Sequence, residues 1–524
     1  MQRIQRTRKT RDFHQAKWNE PIIFELHQPG EKGVELPPVN REISSAVGDG
    51  ISSIPVSMQR NLKLNLPEIG QARVLRHYLR LSQETLGSDF NVEIGQGTCT
   101  MKYIPKINEL LIRDPKMMEL HPLQNEDTVQ GMLEIFYKTD LCMREISGMD
   151  YFSFQPSSGT QALFTMASIV QKYHEQRGEG DIRDEIITTI FSHPSQAATA
   201  AVKGYKIITL HPDENGFPDI EKLKAAVSER TAGFVVANPE DTGIFNPKIK
   251  EFTDIIHEAG GICFYDQANA NGLLGITRAK EAGFDMCFFN LHKTFAAPHM
   301  CGGPATGALG VTAALKEYLP APIVEYVDGK YSLQHDLKHS IGKVRSFHGV
   351  AQTVLRAYAW IRALGAEGLR EVAKIAVLNN NYMYHKVLAI QGAGAPYVKG
   401  HRLEQVRYSW QQLTSETGVT TEDVQLRMTD FGLHYWTSHH PYIVKQPFTL
   451  EPTESYSKQD LDEYIHALEQ ISLEAYNNPE IVKTAPHNST IHKIDEQDSL
   501  DNPEKWSITW RTYLKNTKAC DPVK

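Results

Sequence analysis

Four absences limit what this chain can be. Its 524 residues contain six cysteines, none in a Cys-x-x-Cys pair, so neither a disulfide scaffold nor a cysteine-rich zinc site is expected. No apolar run approaches the roughly 20 residues that cross a bilayer. The formal net charge is -8, which argues against nucleic acid or an anionic membrane surface as the main partner. The polar segment 1–17 has no apolar stretch, so a cytoplasmic rather than a secreted protein is predicted.

The composition is that of a soluble globular protein. Hydrophobic residues make up 41% of the chain and charged residues 23%, and the length suffices for two or three domains. Three parts are predicted: an N-terminal arm over 1–65, a large domain over 66–345 and a smaller αβ domain with its tail over 346–524.

Helical and strand-like patterns alternate between about residues 130 and 312. Apolar runs typical of buried strands occur at 185–191, 206–210, 233–238, 262–266 and 286–290. Helical stretches lie between them at 196–203, 219–230 and 248–259. This alternation predicts an α/β fold with a mainly parallel sheet. Ligands of such sheets bind beyond the carboxyl ends of the strands.

Asp266 and Lys293 stand at two of those strand ends and suggest a cofactor. Lys293 follows the last apolar run, within the segment Asn290-Leu291-His292-Lys293-Thr294. A lysine amine can form a Schiff base with pyridoxal phosphate (PLP), and a carboxylate can pair with the pyridine nitrogen of the same cofactor. Either residue alone is more often structural, so the prediction depends on the residues around them.

A turn of small residues upstream supplies a candidate phosphate site. Ser158, Gly159 and Thr160 follow a short strand-like run and open a helical stretch that reaches about residue 176. Free backbone N–H groups and the positive end of the helix dipole suit a phosphate dianion there. Ordinary helix capping is the alternative interpretation of the same turn.

The C-terminal part is predicted to be mainly helical, with two short strands. A helix over 352–386 is predicted to break at Gly365 and Gly368, strands are expected at 425–429 and 441–444, and Ser457 should start a helix over 458–475.

No metal site is predicted. His434, His439 and His440 cluster in a predicted loop of the C-terminal part, but their spacing fits no zinc signature.

Several motifs resemble one family, the glycine cleavage system P-protein, glycine dehydrogenase (decarboxylating), in its separately encoded C-terminal half, subunit 2. The resemblance runs from about residue 21 to the C-terminus. Its motifs include Asn290-Leu291-His292-Lys293-Thr294-Phe295, Arg76-His77-Tyr78, Cys99-Thr100-Met101-Lys102-Tyr103 and Glu451-Pro452-Thr453-Glu454-Ser455. It implies the type I PLP-dependent, aspartate aminotransferase-like fold.

The resemblance also implies a role for each site residue. Lys293 would carry PLP, Asp266 would pair with its ring nitrogen, and His193 would stack on the ring. His292 would tune the lysine. The further cofactor contacts would be Ser158, Gly159, Thr160, Thr294, Asn238 and Asn269. The implied reaction is decarboxylation of glycine with transfer of the aminomethyl group to lipoyl-H-protein. The chain would work either as a homo-oligomer or in a hetero-oligomer with a subunit 1 partner.

Departures from the family's pattern leave two alternatives open. Pro194 replaces a glycine, Gln196 replaces an asparagine and would occupy substrate space, and Gln267 puts an amide beside Asp266. The loop after Asn238 reads Pro239-Glu240-Asp241-Thr242 in place of the family's Pro-Asn/Ser-Thr, and the glycine-rich turn after the lysine is thinned over 298–307. The first alternative is a divergent PLP enzyme that acts on another amino acid without a lipoyl partner. The second is a non-catalytic subunit, which does not explain why Lys293 is retained.

Overall fold

A computed structural model describes residues 10–11, 13–60, 66–87, 90–95, 102–121, 123–299, 303, 305–397, 400–435, 442–493, 501–502, 506–507 and 509–519. The chain divides into two compact units: one of residues 1–11 and 88–484, the other of residues 12–87 and 485–524. The predicted division at residues 65 and 345 remains a prediction.

The unit of residues 12–87 and 485–524 consists of short helices joined by extended segments. Its helices are α1 (Arg41–Val47), α2 (Gln71–Gln83) and a C-terminal one at Trp510–Ala519. Glu20 links the extended N-terminal segment of this unit to α2, because its carboxylate contacts His77 Nδ1 at 2.9 Å and Arg80 Nη1 at 3.0 Å.

The other unit begins with helices and a seven-stranded sheet. The helices are α3 (Lys106–Arg113), α4 (Pro115–Met118), α5 (Gln130–Ser147), α6 (Gly159–Gln176), α7 (Pro194–Val202), α8 (Ile220–Ala226) and α9 (Ile249–Glu258). The strands are β1 (Tyr151–Ser153), β2 (Glu185–Thr189), β3 (Lys206–Leu210), β4 (Thr231–Ala237), β5 (Ile262–Asp266), β6 (Met286–Asn290) and β7 (Gly307–Val311).

The sheet has the order β1-β7-β6-β5-β4-β2-β3. Strands β3, β2, β4, β5 and β6 pair in parallel, and β7 is antiparallel to both β6 and β1. Every residue of β5 and β6 is buried, which explains their continuous apolar runs. The predicted mainly parallel sheet is confirmed, and the ends of β4, β5 and β6 meet at one edge.

The rest of this unit consists of a hairpin, further helices and a two-stranded sheet. The elements are β8 (Ile323–Val327), β9 (Lys330–Gln334), α10 (Ala351–Val387), β10 (Val406–Ser409), α11 (Gln411–Thr417), α12 (Thr421–Thr429), β11 (Pro447–Leu450), α13 (Lys458–Asn477) and α14 (Pro479–Lys483). Helix α10 is kinked at Gly365, where φ is 66°, and not at Gly368.

Two strand predictions in this part are wrong. Residues 425–429 lie in α12, which Thr420 and Asp423 start with a capping box. Residues 442–446 form turns and bends, and the strand that pairs with β10 is β11. The predicted helix from residue 458 is confirmed, with Ser457 as its N-cap. Among the helices that the structure describes, none is long and apolar enough to span a bilayer.

Candidate functional site

A cavity of about 220 Å³ opens at the carboxyl ends of the parallel strands. Nine of the ten predicted site residues line it: Ser158, Gly159, Thr160, His193, Asn238, Asp266, Asn269, His292 and Lys293. The fold thus brings together residues that are up to 135 positions apart in the chain. The tenth, Thr294, does not line the cavity. Its hydroxyl accepts a hydrogen bond from the Ala270 N–H at 2.9 Å, so its predicted contact with phosphate remains a prediction.

Asp266 is held by hydrogen bonds to both of its carboxylate oxygens. One oxygen accepts from the backbone N–H of Ala268 at 3.0 Å, and the other accepts from Nε2 of Gln196 at 2.8 Å. The other end of the Gln196 amide accepts from the Thr188 hydroxyl at 3.0 Å. Gln196 is buried behind the aspartate and does not line the cavity, so the expectation that it occupies substrate space is wrong.

Lys293 lies in the turn that follows β6. Its backbone N–H donates to the carbonyl of Asn290 at 2.9 Å, and its side chain reaches the cavity half-buried. The adjacent His292 is buried, and its ring lies 4.4 Å from that of His299. Burial lowers the pKa of His292 to about 3, and the neighbouring His299 and Lys293 act in the same direction. His292 is therefore a neutral imidazole at physiological pH.

The start of α6 forms another wall of the cavity. Ser158 is the N-cap, and its hydroxyl accepts from the Gln161 N–H at 3.0 Å. Gly159 packs directly on the side chain of Asn290: a Cβ at this position would lie 2.7 Å from Asn290 Nδ2. The first N–H groups of a helix have no acceptor within it, so they are available to a ligand.

His193 is the N-cap of α7 and stays exposed beside the cavity. Its Nδ1 contacts the Ser195 hydroxyl at 2.6 Å and accepts from the Ser195 N–H at 3.2 Å. Pro194 occupies the first position of the helix, where an N–H would have no intrahelical partner. Replacing the glycine by proline therefore costs the helix no hydrogen bond.

The side-chain amides of the two asparagines of the predicted site have different hydrogen-bond partners. Asn238 bonds the backbone of Asn246 through both ends of its amide, at 2.7 and 3.1 Å, so this side chain shapes the loop after β4. Asn269 donates to a carboxylate oxygen of Glu451. Both residues line the cavity, and their predicted contacts with a cofactor remain predictions.

Gln267 is buried and does not line the cavity. Its neighbours Asp266 and Ala268 do line it. Of the other substituted side chains, Asp241 reaches the cavity and pairs with Arg407.

The sequence interpretation missed several residues of the cavity wall: Ser195, Asp241, Ala268, Asn290, His299, Glu404 and Gln405. Asn290 and Ala268 could have been found, since one precedes the lysine motif and the other lies two residues beyond the strand-end aspartate. Glu404 and Gln405 belong to the C-terminal part and carry no local signal, because only the folded chain brings them to the sheet.

Comparison with known families identifies two regions of the chain. Residues 372–492 match the family model described as glycine dehydrogenase, C-terminal domain. Residues 156–321 match the model described as aminotransferase class-V, and this region includes the cavity residues from Ser158 to His299.

Close relatives cover nearly the whole chain. Proteins of Pyrococcus abyssi and Pyrococcus furiosus are 43% and 44% identical over 503 residues, which is 96% of this chain and 98% of each relative. A protein of Caldanaerobacter subterraneus is 40% identical over 92% of this chain and 97% of its own length. All three carry the name "Probable glycine dehydrogenase (decarboxylating) subunit 2".

Solved structures agree with the predicted fold class. A crystal structure of a glycine decarboxylase (P-protein) matches 83% of this chain with a TM-score of 0.69 at 19% identity. The cysteine desulfurase CsdA of Escherichia coli matches 75% with a TM-score of 0.57 at 13% identity. The fold is thus the predicted type I PLP-dependent fold, and by its relatives the chain belongs to the family of glycine dehydrogenase (decarboxylating) subunit 2.

Proposed function

We propose that this chain is the PLP-binding subunit of a glycine dehydrogenase, which decarboxylates glycine and transfers the aminomethyl group to lipoyl-H-protein. One observation carries the proposal: Lys293, Asp266, His193 and the start of α6 all line one cavity. The relatives' name supports glycine as substrate and a subunit 1 chain as partner. The expected cytoplasmic location stays a prediction.

The residues present fit the cofactor. Asn290 Oδ1 is buried in the wall and has no hydrogen-bond partner among the described residues, so it is available to a ligand. Gly159 leaves room at the helix start that a side chain would fill. Lys293 would carry PLP, Asp266 would bind the ring nitrogen, and the start of α6 would hold the phosphate.

Each of these groups has one physical task. PLP, when bound, supplies the electron sink that lets the carboxylate of an amino acid leave as CO2. Asp266 presents a fixed negative charge, because Gln196 and the Ala268 N–H hold both of its oxygens. The neutral His292 adds no positive charge beside Lys293.

The alternative of another amino acid as substrate has lost most of its motivation. Gln196 and Gln267, which were expected to narrow the site, do not line the cavity, and Pro194 sits where a helix accepts proline. In the altered loop after Asn238, Asp241 reaches the cavity wall, where it forms an ion pair with Arg407.

The test is to load the purified chain with PLP and to record the visible absorbance with each amino acid in turn. Glycine should change the spectrum and larger amino acids should not. Lys293→Ala should lose the absorbance of lysine-bound PLP, whereas Lys250→Ala, which removes an exposed lysine of α9, should keep it. Unchanged absorbance in Lys293→Ala would overturn the assignment.

A further inference from the structure

Three side chains of the kinds that bind metal ions meet at the edge of the sheet opposite the cavity. His257 is in the last turn of α9, Cys263 is the second residue of β5, and Asp285 comes immediately before β6. Cys263 and Asp285 thus stand at the amino ends of two parallel strands, whereas the cavity lies at the carboxyl ends. The ligand atoms of the three residues all lie within 4.8 Å of one another. Their spacing along the chain fits no zinc signature, which is why the sequence does not predict a site here.

Hydrogen bonds fix Asp285 within this group. Its backbone N–H donates to the carbonyl of Cys263 at 2.8 Å, and one of its carboxylate oxygens accepts from the Cys263 N–H at 2.8 Å. Nε2 of His257 lies 2.8 Å from the same oxygen. A backbone N–H that holds a carboxylate is the kind of outer contact that orients a metal ligand, so Asp285 is positioned before any ion binds.

The sulfur of Cys263 faces the same place. Its side chain is fully buried, and Sγ donates a long hydrogen bond of 3.8 Å to the carbonyl of Thr253. Thr253 lies four residues before His257 on α9, so the sulfur packs against the side of the helix that carries the histidine. A thiol is a weak donor, so little is lost when the sulfur exchanges this contact for a bond to a metal ion.

An ion pair between His257 and Asp285 is the alternative explanation of these contacts. The hydrogen bond with Asp285 raises the pKa of His257, as expected of such a pair. The ion pair gives the sulfur no part, although Sγ lies within 4.8 Å of both partners. The other charges that act on His257 are those of Lys250 and Asp254, which form an ion pair with each other.

We propose that His257, Cys263 and Asp285 bind a zinc ion through Nε2, Sγ and a carboxylate oxygen. Thiolate, imidazole and carboxylate are the protein ligands of Zn²⁺, and a sulfur ligand disfavours Mg²⁺ and Ca²⁺. On binding, the S–H bond of Cys263 and the N–H bond at His257 Nε2 break, bonds to zinc form, and two protons leave to solvent. No electron is transferred, so no co-reactant is needed.

The rearrangement that zinc requires is small. With bond lengths of about 2.0 to 2.3 Å, the ligand atoms of a tetrahedral zinc ion stand about 3.3 to 3.6 Å apart. The nitrogen–oxygen distance must open from 2.8 Å by about 0.5 Å, and the sulfur must approach from at most 4.8 Å by about 1 Å. The side chain of His257 is 37% exposed and can move, and water from the same side completes the four ligands.

The zinc ion joins α9 to β5 and β6 at the strand ends that lie away from the cavity. Asp266 and Lys293 are at the other ends, so the ion stabilises the sheet and takes no part in the reaction. The inference therefore stands independently of the proposed function, and failure of one leaves the other untouched.

The first test is a titration of the full-length chain, stripped of metal by a chelator, with Co²⁺. Cobalt takes zinc sites, and a cobalt–thiolate bond absorbs in the near ultraviolet. The difference spectrum against the cobalt-free chain should show this band, which should saturate at about one Co²⁺ per chain and disappear when Zn²⁺ is added. A wild type without the band would overturn the proposal.

Two pairs of variants assign the ligands. Cys263→Ala should lose the band, whereas Cys142→Ala, which removes another free thiol, should keep it. His257→Gln should bind Zn²⁺ at least about tenfold more weakly, because losing even an outer contact of a metal site costs that much. The control His211→Gln removes another exposed histidine and should bind like the wild type. If Cys263→Ala does not fold, the exposed His257 still decides the matter.

A third measurement shows what surrounds the ion. X-ray absorption of the chain with one equivalent of Zn²⁺ should contain one sulfur at about 2.3 Å and lighter ligands at about 2.0 to 2.1 Å. The Tm of the wild type should rise with the zinc concentration, and that of His257→Gln should rise less. Zinc without a sulfur ligand, or zinc bound equally by all four variants, would mean an adventitious ion only and would overturn the proposal.

Discussion

His292 should make the protein lose stability as the solution is acidified. Its pKa is lowered to about 3 in the folded chain, chiefly by burial, against an ordinary value of 6.5. Between these two values the unfolded chain binds a proton that the folded chain does not. The contribution of His292 is therefore fully present above pH 6.5 and is lost as the pH falls below it. At 1.36 kcal/mol per pH unit, the loss between pH 6.5 and pH 5 is about 2 kcal/mol.

The measurement has to separate His292 from groups that titrate in the opposite sense. The pKa of Glu404 and that of Glu240 are both raised to about 8, so these two carboxyl groups lower stability as the pH rises from about 4.5 to 8. Urea unfolding is therefore measured for the PLP-free wild type and for His292→Gln, each at pH 7 and pH 5. The contributions of Glu404 and Glu240 cancel in the comparison because both proteins contain these residues. On acidification the wild type should lose about 2 kcal/mol more than the variant. An equal change in the two proteins would refute the reasoning.

Three further substitutions test individual contacts. Gln196→Leu removes a hydrogen bond to the charged Asp266, so the free energy of unfolding should fall by about 2 kcal/mol and PLP should bind more weakly, as urea unfolding and a PLP titration would measure. Gly159→Ala should weaken PLP binding by about tenfold in the same titration without loss of stability, since alanine favours the helix but its methyl group displaces a wall side chain. Lys102→Met leaves Glu454 without its partner and should destabilise the chain by about 3 kcal/mol, measured by urea unfolding. An unchanged free energy of unfolding in Gln196→Leu or Lys102→Met, or an unchanged PLP affinity in Gly159→Ala, would contradict the contact concerned.

The sheet could be predicted from the sequence because the burial of each strand is visible in that strand's own residues. Strands β5 and β6 are buried on both faces, so each is a continuous apolar run that ends in a polar residue. Asp266 and Lys293 could be placed at one edge for the same reason, since the carboxyl ends of parallel strands meet.

The errors and omissions have physical causes too. Residues 425–429 were expected to be a strand because the capping box of Thr420 and Asp423, which starts the helix, was overlooked. Gln196 was expected in substrate space, but its extra methylene lets it reach Asp266 from behind. Glu404 could not have been assigned to the site, because nothing in its local sequence marks it and tertiary folding alone brings it to the cavity.

The most direct test of the central claim is CO2 release from carboxyl-labelled glycine by the PLP-loaded chain. Release should require glycine, subunit 1 and lipoyl-H-protein together, and Lys293→Ala should abolish it. Release that proceeds equally well with another amino acid, or none from glycine when both partners are present, would contradict the account.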